Sequence, residues 1–237
     1  MVPHPPLLVP ELTVRPDPDT SRLREACAAA VSSLTEVARS WVAIGADTAG
    51  ARVFGPEVRG TFRGYGVDVP VTLSDGAVGE VDPDLPLPAL VAGWLRGQAA
   101  ARAVRAELLA PDTPVAWCRD EGARLVGEAA GTNGAPTALL VLADGTNCAD
   151  DRSPHAPDPR APEFDERIGD ALAIADAHAL LGLEPAVAAD LGVTGRAALH
   201  VAAGVVQASS TGWDAELLYS ARPFGVTYNV AVWTARG

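Results

Sequence analysis

The chain has 237 residues, 48% of them hydrophobic and 20% charged, with a net charge of −12. That balance excludes intrinsic disorder and leaves enough apolar surface for a substantial core. The acidic excess excludes nucleic acid as a natural partner, because phosphate backbones are repelled. All 18 basic residues are arginine, so neither a Schiff-base lysine nor a P-loop lysine exists.

The first residues place His4 among Pro3, Pro5 and Pro6. Proline cannot donate to a sheet ladder, so this stretch reads as a rigid extended turn. Only Met1, Val2 and Pro3 precede His4, which predicts a short first strand with a frayed edge, since a typical strand has about five or six residues. Asp19, Thr20 and Ser21 are capping residues for a helix that runs to about Ser40. Leu23, Cys27, Ala30, Leu34, Val37 and Trp41 make its apolar stripe. Trp41 to Gly45 reads as a buried strand. Residues 46–66, polar and glycine-rich, are long for a plain connection and so are expected to be functional or partly mobile.

Further strands are predicted at Val67–Leu73 and Pro114–Cys118. Helices are predicted at Leu90–Leu109, Asp120–Ala130, Glu163–Leu181, Pro185–Leu191 and Arg196–Gln207. The unbroken apolar run Ala138–Ala143 predicts a buried strand that ends at Asp144-Gly145. In the helix that follows the next loop, Phe164, Ile168 and Leu172 point inward and Asp165, Glu166 and Asp170 outward. Two last strands, Leu217–Ser220 and Gly225–Trp233, include one read as antiparallel at an edge. Strands alternating with helices imply a single α/β domain over residues 1–237, a three-layer sandwich with a central, mostly parallel sheet.

Cys27, Cys118 and Cys148 are far apart and odd in number, which fits reduced thiols in a cytoplasmic protein. The first residues lack the features of a signal peptide, and no run approaches the ~18 apolar residues of a membrane span, so no membrane partner is expected. A homo-oligomer is left open.

The candidate chemistry sits at strand ends. His4 is either a metal ligand held by its proline neighbours or a surface histidine. Asp144, Asn147 and His155, with Asp150 and Asp151, either hold a hard cation or supply acid and base, or else build a turn with Asx side chains. Asp144 and Asn147 are expected to border the main pocket, where open α/β sheets form ligand crevices. His200, inside an apolar helix, reads as a buried, satisfied histidine. His178 is placed near a helix end, where cations suit the dipole.

Several segments together carry a resemblance: PHPPLLVPEL at the start, GYGVDVP from Gly64, LADGTNCADD running on to DPRAPEFDERI, TGRAALHVAAG, and FGVTYNVAVW near the end. The pattern, which covers most of the chain, resembles the LigB-like superfamily. That superfamily comprises class III extradiol ring-cleavage dioxygenases and their Memo-like relatives, and the match is to its compact bacterial branch. The resemblance implies an α/β sandwich. It also implies non-haem Fe(II) held by two histidines and a glutamate, with a further histidine as acid and base, opening catecholic rings.

Carried over residue by residue, His4 matches the first metal histidine. The second is expected in residues 46–66, which contain none. Asn147 stands nearest the acid-base position, and Thr194, Gly195 and Arg196 stand where the glutamate belongs. Two functions follow as expectations. One is a dioxygenase-like protein with an incomplete iron ligand set. The other is a catalytically silent relative that binds a small aromatic molecule or a protein in the retained pocket.

Overall fold

The computed structural model describes residues 1–15, 17–131, 136 and 138–236. Helix α1 spans Pro18–Val37, and its start is set locally: Asp17 Oδ1 accepts the Thr20 N–H at 2.9 Å, and Pro18 occupies the first turn. Leu23, Cys27, Ala30 and Val31 are buried, whereas Val37 at the helix end is exposed. Strand β1, Ser40–Ala46, follows and buries every residue after Ser40. Its side chains alternate. Trp41 and Ala43 join the core beneath α1 and helix α2 (Leu87–Gln98), while Val42 and Ile44 join a second core under helices α3 (Val115–Gly131) and α7 (Arg196–Ala208). A strand buried on both faces needs an unbroken apolar run, which residues 41–46 supply.

Residues 52–72 hold three short strands: β2 (Arg52–Phe54), β3 (Arg59–Thr61) and β4 (Pro70–Thr72). β4 keeps only part of the strand predicted from Val67 to Leu73, and it pairs antiparallel with β3 outside the main sheet. Strand β5, Ala103–Leu109, occupies the second half of what periodicity assigns to one helix, Leu90–Leu109. The helix stops at Gln98, and Ala100 turns the chain at φ +51°. No glycine or proline marks that turn, and Ala101, Val104 and Leu108 satisfy helical spacing as well as they satisfy a sheet. The strand predicted at Pro114–Cys118 is instead the first turn of α3, with Cys118 N–H bonded to the Pro114 carbonyl at 3.0 Å.

Strand β6, Ala138–Val141, completes a four-stranded sheet of order β2-β5-β1-β6, parallel except for β2. α3 and α7 approach closely: a Cβ built on Gly122 would lie 2.5 Å from the backbone of Gly204. The helix predicted over Glu163–Leu181 divides into α4 (Ala161–Ala173) and α5 (Ala177–Leu181) at Ala175, where φ is +53°. Asp176 Oδ1 restarts the helix by accepting the Ala179 N–H at 2.9 Å. Helix α6 is Pro185–Asp190. Strands β7 (Trp213–Ala221) and β8 (Tyr228–Ala235) form an antiparallel ribbon.

The N-terminal residues join ribbon to sheet. Val2 forms a parallel bridge with Leu142, and Met1 exchanges two backbone hydrogen bonds with Ala231 of β8. The first strand is therefore short, as expected, but its edge is not frayed: Val2 is fully buried and His4 only 6% exposed.

Phe164, Ile168 and Leu172 are buried, and α4 lays them on the β7–β8 ribbon. Ile168→Val is expected to lower stability by about 0.5–1.5 kcal/mol, read as a shift of the urea midpoint at unchanged slope. Asp165 corrects the reading that set it on the outer face. It is 5% exposed and accepts bonds from Thr146 N–H at 2.9 Å, from Thr146 Oγ1 at 2.6 Å and from Thr227 Oγ1, with Arg222 at 3.4 Å. Cys27, Cys118 and Cys148 are all free and buried, and burial pushes the Cys118 thiol up to about 11. Among the described residues no helix is long and apolar enough to cross a membrane.

Candidate functional site

Three parallel segments end on the same side of the sheet and deliver the polar groups there. Val2 runs into His4, β1 into Asp47, and β6 through Leu142 and Ala143 into Asp144. Carboxyl ends of parallel strands are where α/β sheets leave a crevice. His4 is fixed by its backbone: its N–H donates to Asp144 Oδ1 at 2.9 Å. Its ring Nδ1 is 3.7 Å from the same oxygen, too long for a hydrogen bond, and is buried without a partner.

His4 lines a cleft of about 580 Å³ with Asp47, Thr48, Arg52, Tyr65, Asp84 and Thr194. Residues 83–88, rich in proline, form one wall. Asp47 is held by its own strand end, its N–H bonded to the Leu109 carbonyl at 2.8 Å, and its carboxylate forms an ion pair with Arg52. The Arg52 guanidinium also sits over the Phe54 ring, 5.5 Å from its centroid. Tyr65 ends a short 3-10 turn at Phe62–Tyr65 and packs edge-on against Phe62 at 6.0 Å. Burial, then the nearby Asp47 charge, raises the Tyr65 phenol pKa, so the hydroxyl stays protonated and can donate. Thr194 enters just before α7, where Gly195 lets the helix start lie against Ala143: a Cβ there would be 2.6 Å from the Ala143 Cα.

Of the residues singled out in the sequence, His4 and Asp144 come together. Asn147 and His155 do not join them, and of these four residues only His4 lines the cleft; Asp144 reaches it through its bond to the His4 N–H, so neither Asp144 nor Asn147 borders the cleft as expected. Asn147 N–H bonds the Leu191 carbonyl at 3.2 Å, and its side chain packs on Gly192, whose φ is +72°. His155 is exposed, and its N–H donates to the Asn147 carbonyl. His200 is fully buried beside Arg196, whose Nη1 is 3.2 Å from His200 Nδ1. The Leu180 and Leu183 backbone also favours a proton on the ring, although Nε2 meets no partner at full hydrogen-bond geometry. His178 is exposed on α5. The sequence reading passed over Asp84, which reaches the cleft from the proline-rich loop; the signal available was that loop's acidic, rigid composition.

The donor set does not fit the iron triad. One imidazole lines the cleft, and among the described residues no three His, Cys, Asp or Glu side chains converge to hold a metal ion. Where the second histidine is expected, residues 46–66 present Asp47 paired with Arg52. The arrangement suits hydrogen bonding to a small polar molecule: a phenol and a guanidinium donate, carboxylates accept, and one imidazole stands beside a carboxylate.

No family model and no curated protein matches the chain. Among solved structures it is similar to the uncharacterized protein JW3007 from Escherichia coli K12 at 14% identity, with 87% of this chain and 91% of that one covered and a TM-score of 0.54. At that identity the likeness is one of fold: an α/β chain with helices around a mostly parallel central sheet.

Proposed function

We propose that this chain is a LigB-like protein that binds a small, hydroxyl-bearing aromatic molecule in the cleft beside His4 and does not open its ring. The observation that carries this reading is the Asp47–Arg52 ion pair standing where the superfamily's second metal histidine is expected. An arginine cannot ligate a cation, and pairing with it occupies the carboxylate. The quoted segments, the cleft at the strand ends and the mostly parallel central sheet with helices around it support the LigB-like part. Catechol is the probe. Saturable binding by calorimetry is expected, weakened roughly 2–10-fold by Tyr65→Phe, the worth of one hydrogen bond. Protein purified without a histidine tag, loaded anaerobically with Fe(II) and then given oxygen, is expected to show no catechol-dependent oxygen uptake.

One observation favours a second reading, an extradiol dioxygenase with a rearranged site. His4 Nδ1 is buried and unpartnered, as a waiting ligand atom would be. Stoichiometric iron held by His4 and two other side chains, with oxygen uptake lost in His4→Ala, would establish that reading and end the first.

A further inference from the structure

One carboxylate oxygen meets His4 twice. Asp144 Oδ1 accepts the His4 backbone N–H at 2.9 Å and lies 3.7 Å from the ring Nδ1. The backbone bond fixes where the carboxylate stands, and packing limits how far the ring can turn, since the His4 side chain is only 8% exposed. Among the described residues no arginine pairs with Asp144, so its charge is left to act on the ring. The Cys27 thiol and the Tyr228 phenol feel the same charge and stay protonated: burial raises both pKa values, and Asp144 raises them further. Nδ1 is closed off and has no bonding partner. Nε2, on the far side of the ring, bonds no described residue and is the nitrogen left open on the cleft that His4 lines.

A neutral imidazole carries its proton on one nitrogen or the other, and its surroundings choose. A bare Nδ1 would set its lone pair against a carboxylate in an enclosed place, where like charges repel strongly. An N–H at Nδ1 points its positive end at that oxygen instead. The choice reverses what Nε2 can do: it donates in the first arrangement and accepts in the second.

We propose that Asp144 is a positioning residue that holds the His4 proton on Nδ1, so that Nε2 meets the ligand as an acceptor and the ligand must bring it a hydroxyl donor. This rests on the reading of the cleft as a site for a hydroxyl-bearing aromatic, and it adds a rule of selection. Tyr65 and Arg52 donate, and an ether oxygen satisfies them as well as a hydroxyl does. Of the other acceptors in the cleft, Asp47 is engaged by Arg52 and Asp84 is exposed, where water competes. Nε2 is the enclosed acceptor, and an ether leaves it unpaired. Asp144 does not line the cleft; it acts through His4.

Two measurements test this. In the ring-nitrogen NMR spectrum of the unmodified chain at about pH 8, with His4 assigned by its loss in His4→Phe, Nδ1 is expected to be protonated and Nε2 bare. The reverse pattern would overturn the proposal. By calorimetry, catechol is expected to bind roughly tenfold or more tightly than its dimethyl ether, and the gap to shrink to about threefold or less in Asp144→Asn and in His4→Phe. Asp144→Asn keeps an acceptor for the His4 N–H and removes only the charge, so an unchanged gap in that variant would show a merely structural role and overturn the proposal. Failure of catechol to bind the unmodified chain would end the aromatic reading, and with it the rule of selection, while the ring spectrum would still decide the tautomer.

Discussion

Asp165→Ala is expected to destabilise the protein by about 3–5 kcal/mol, the cost of removing one partner from a buried polar cluster. The carboxylate accepts from Thr146 N–H, from both the Thr146 and Thr227 hydroxyls, and from Arg222. Alanine leaves these donors facing a void, and each buried donor left unpaired costs about 1–3 kcal/mol. The cluster also ties the loop after β6 to the start of β8, where Gly145 N–H meets the Thr227 carbonyl at 2.8 Å and Thr227 N–H the Thr146 carbonyl at 3.0 Å. Gly145 is needed there because a Cβ would come within 2.8 Å of Asp165 Oδ1. Asp165→Asn keeps one acceptor oxygen and should lose less than Asp165→Ala. Urea unfolding of the three proteins checks the order; a loss under about 0.5 kcal/mol in Asp165→Ala, within the range of an ordinary surface change, would show the cluster to be idle.

The second large effect is a loss of stability in acid that belongs to His200. Arginine can only donate, so the 3.2 Å contact with Arg196 makes His200 Nδ1 an acceptor and the ring neutral. Burial, then the Arg196 charge, depresses the His200 pKa to about 4 from its usual 6.5. Below pH 6.5 the unfolded chain takes up a proton that the folded chain refuses until about pH 4. The stabilisation is thus complete above pH 6.5 and is lost progressively as pH falls to about 4, roughly 3 kcal/mol in all. Comparing unfolding free energies of the parent chain and His200→Gln across that window isolates this histidine. Parallel pH profiles for the two proteins would refute the assignment.

Much of the frame was legible because single-residue chemistry set it. The apolar runs of β1 and β6, and the nearly all-apolar α7, admit few placements other than a core. The errors came where two periods agree. Val104 and Leu108 fit a helix and a strand alike, and the turn between them and α2 rests on Ala100 at positive φ, a conformation alanine does not advertise. Asp165 misled for a different reason. It lies next to Phe164 on the rim of the apolar stripe, and only the fold brings Thr146 and Thr227 to meet it. The site divided in the same way. His4 and Asp144 sit at the ends of strands that the sequence could place. Arg52 reaches the cleft from the start of β2, Tyr65 from a 3-10 turn and Asp84 from a loop, all placed by long-range packing.

The join at Met1 bears on how the molecule is made. It links residues 230 positions apart in the chain. Contacts of that separation demand that most chain entropy be lost before they return anything, so they form late and slowly. The β7–β8 ribbon closes through nearby residues and needs no such wait. On that ground the C-terminal hairpin is expected to close early and the contact at Met1 late.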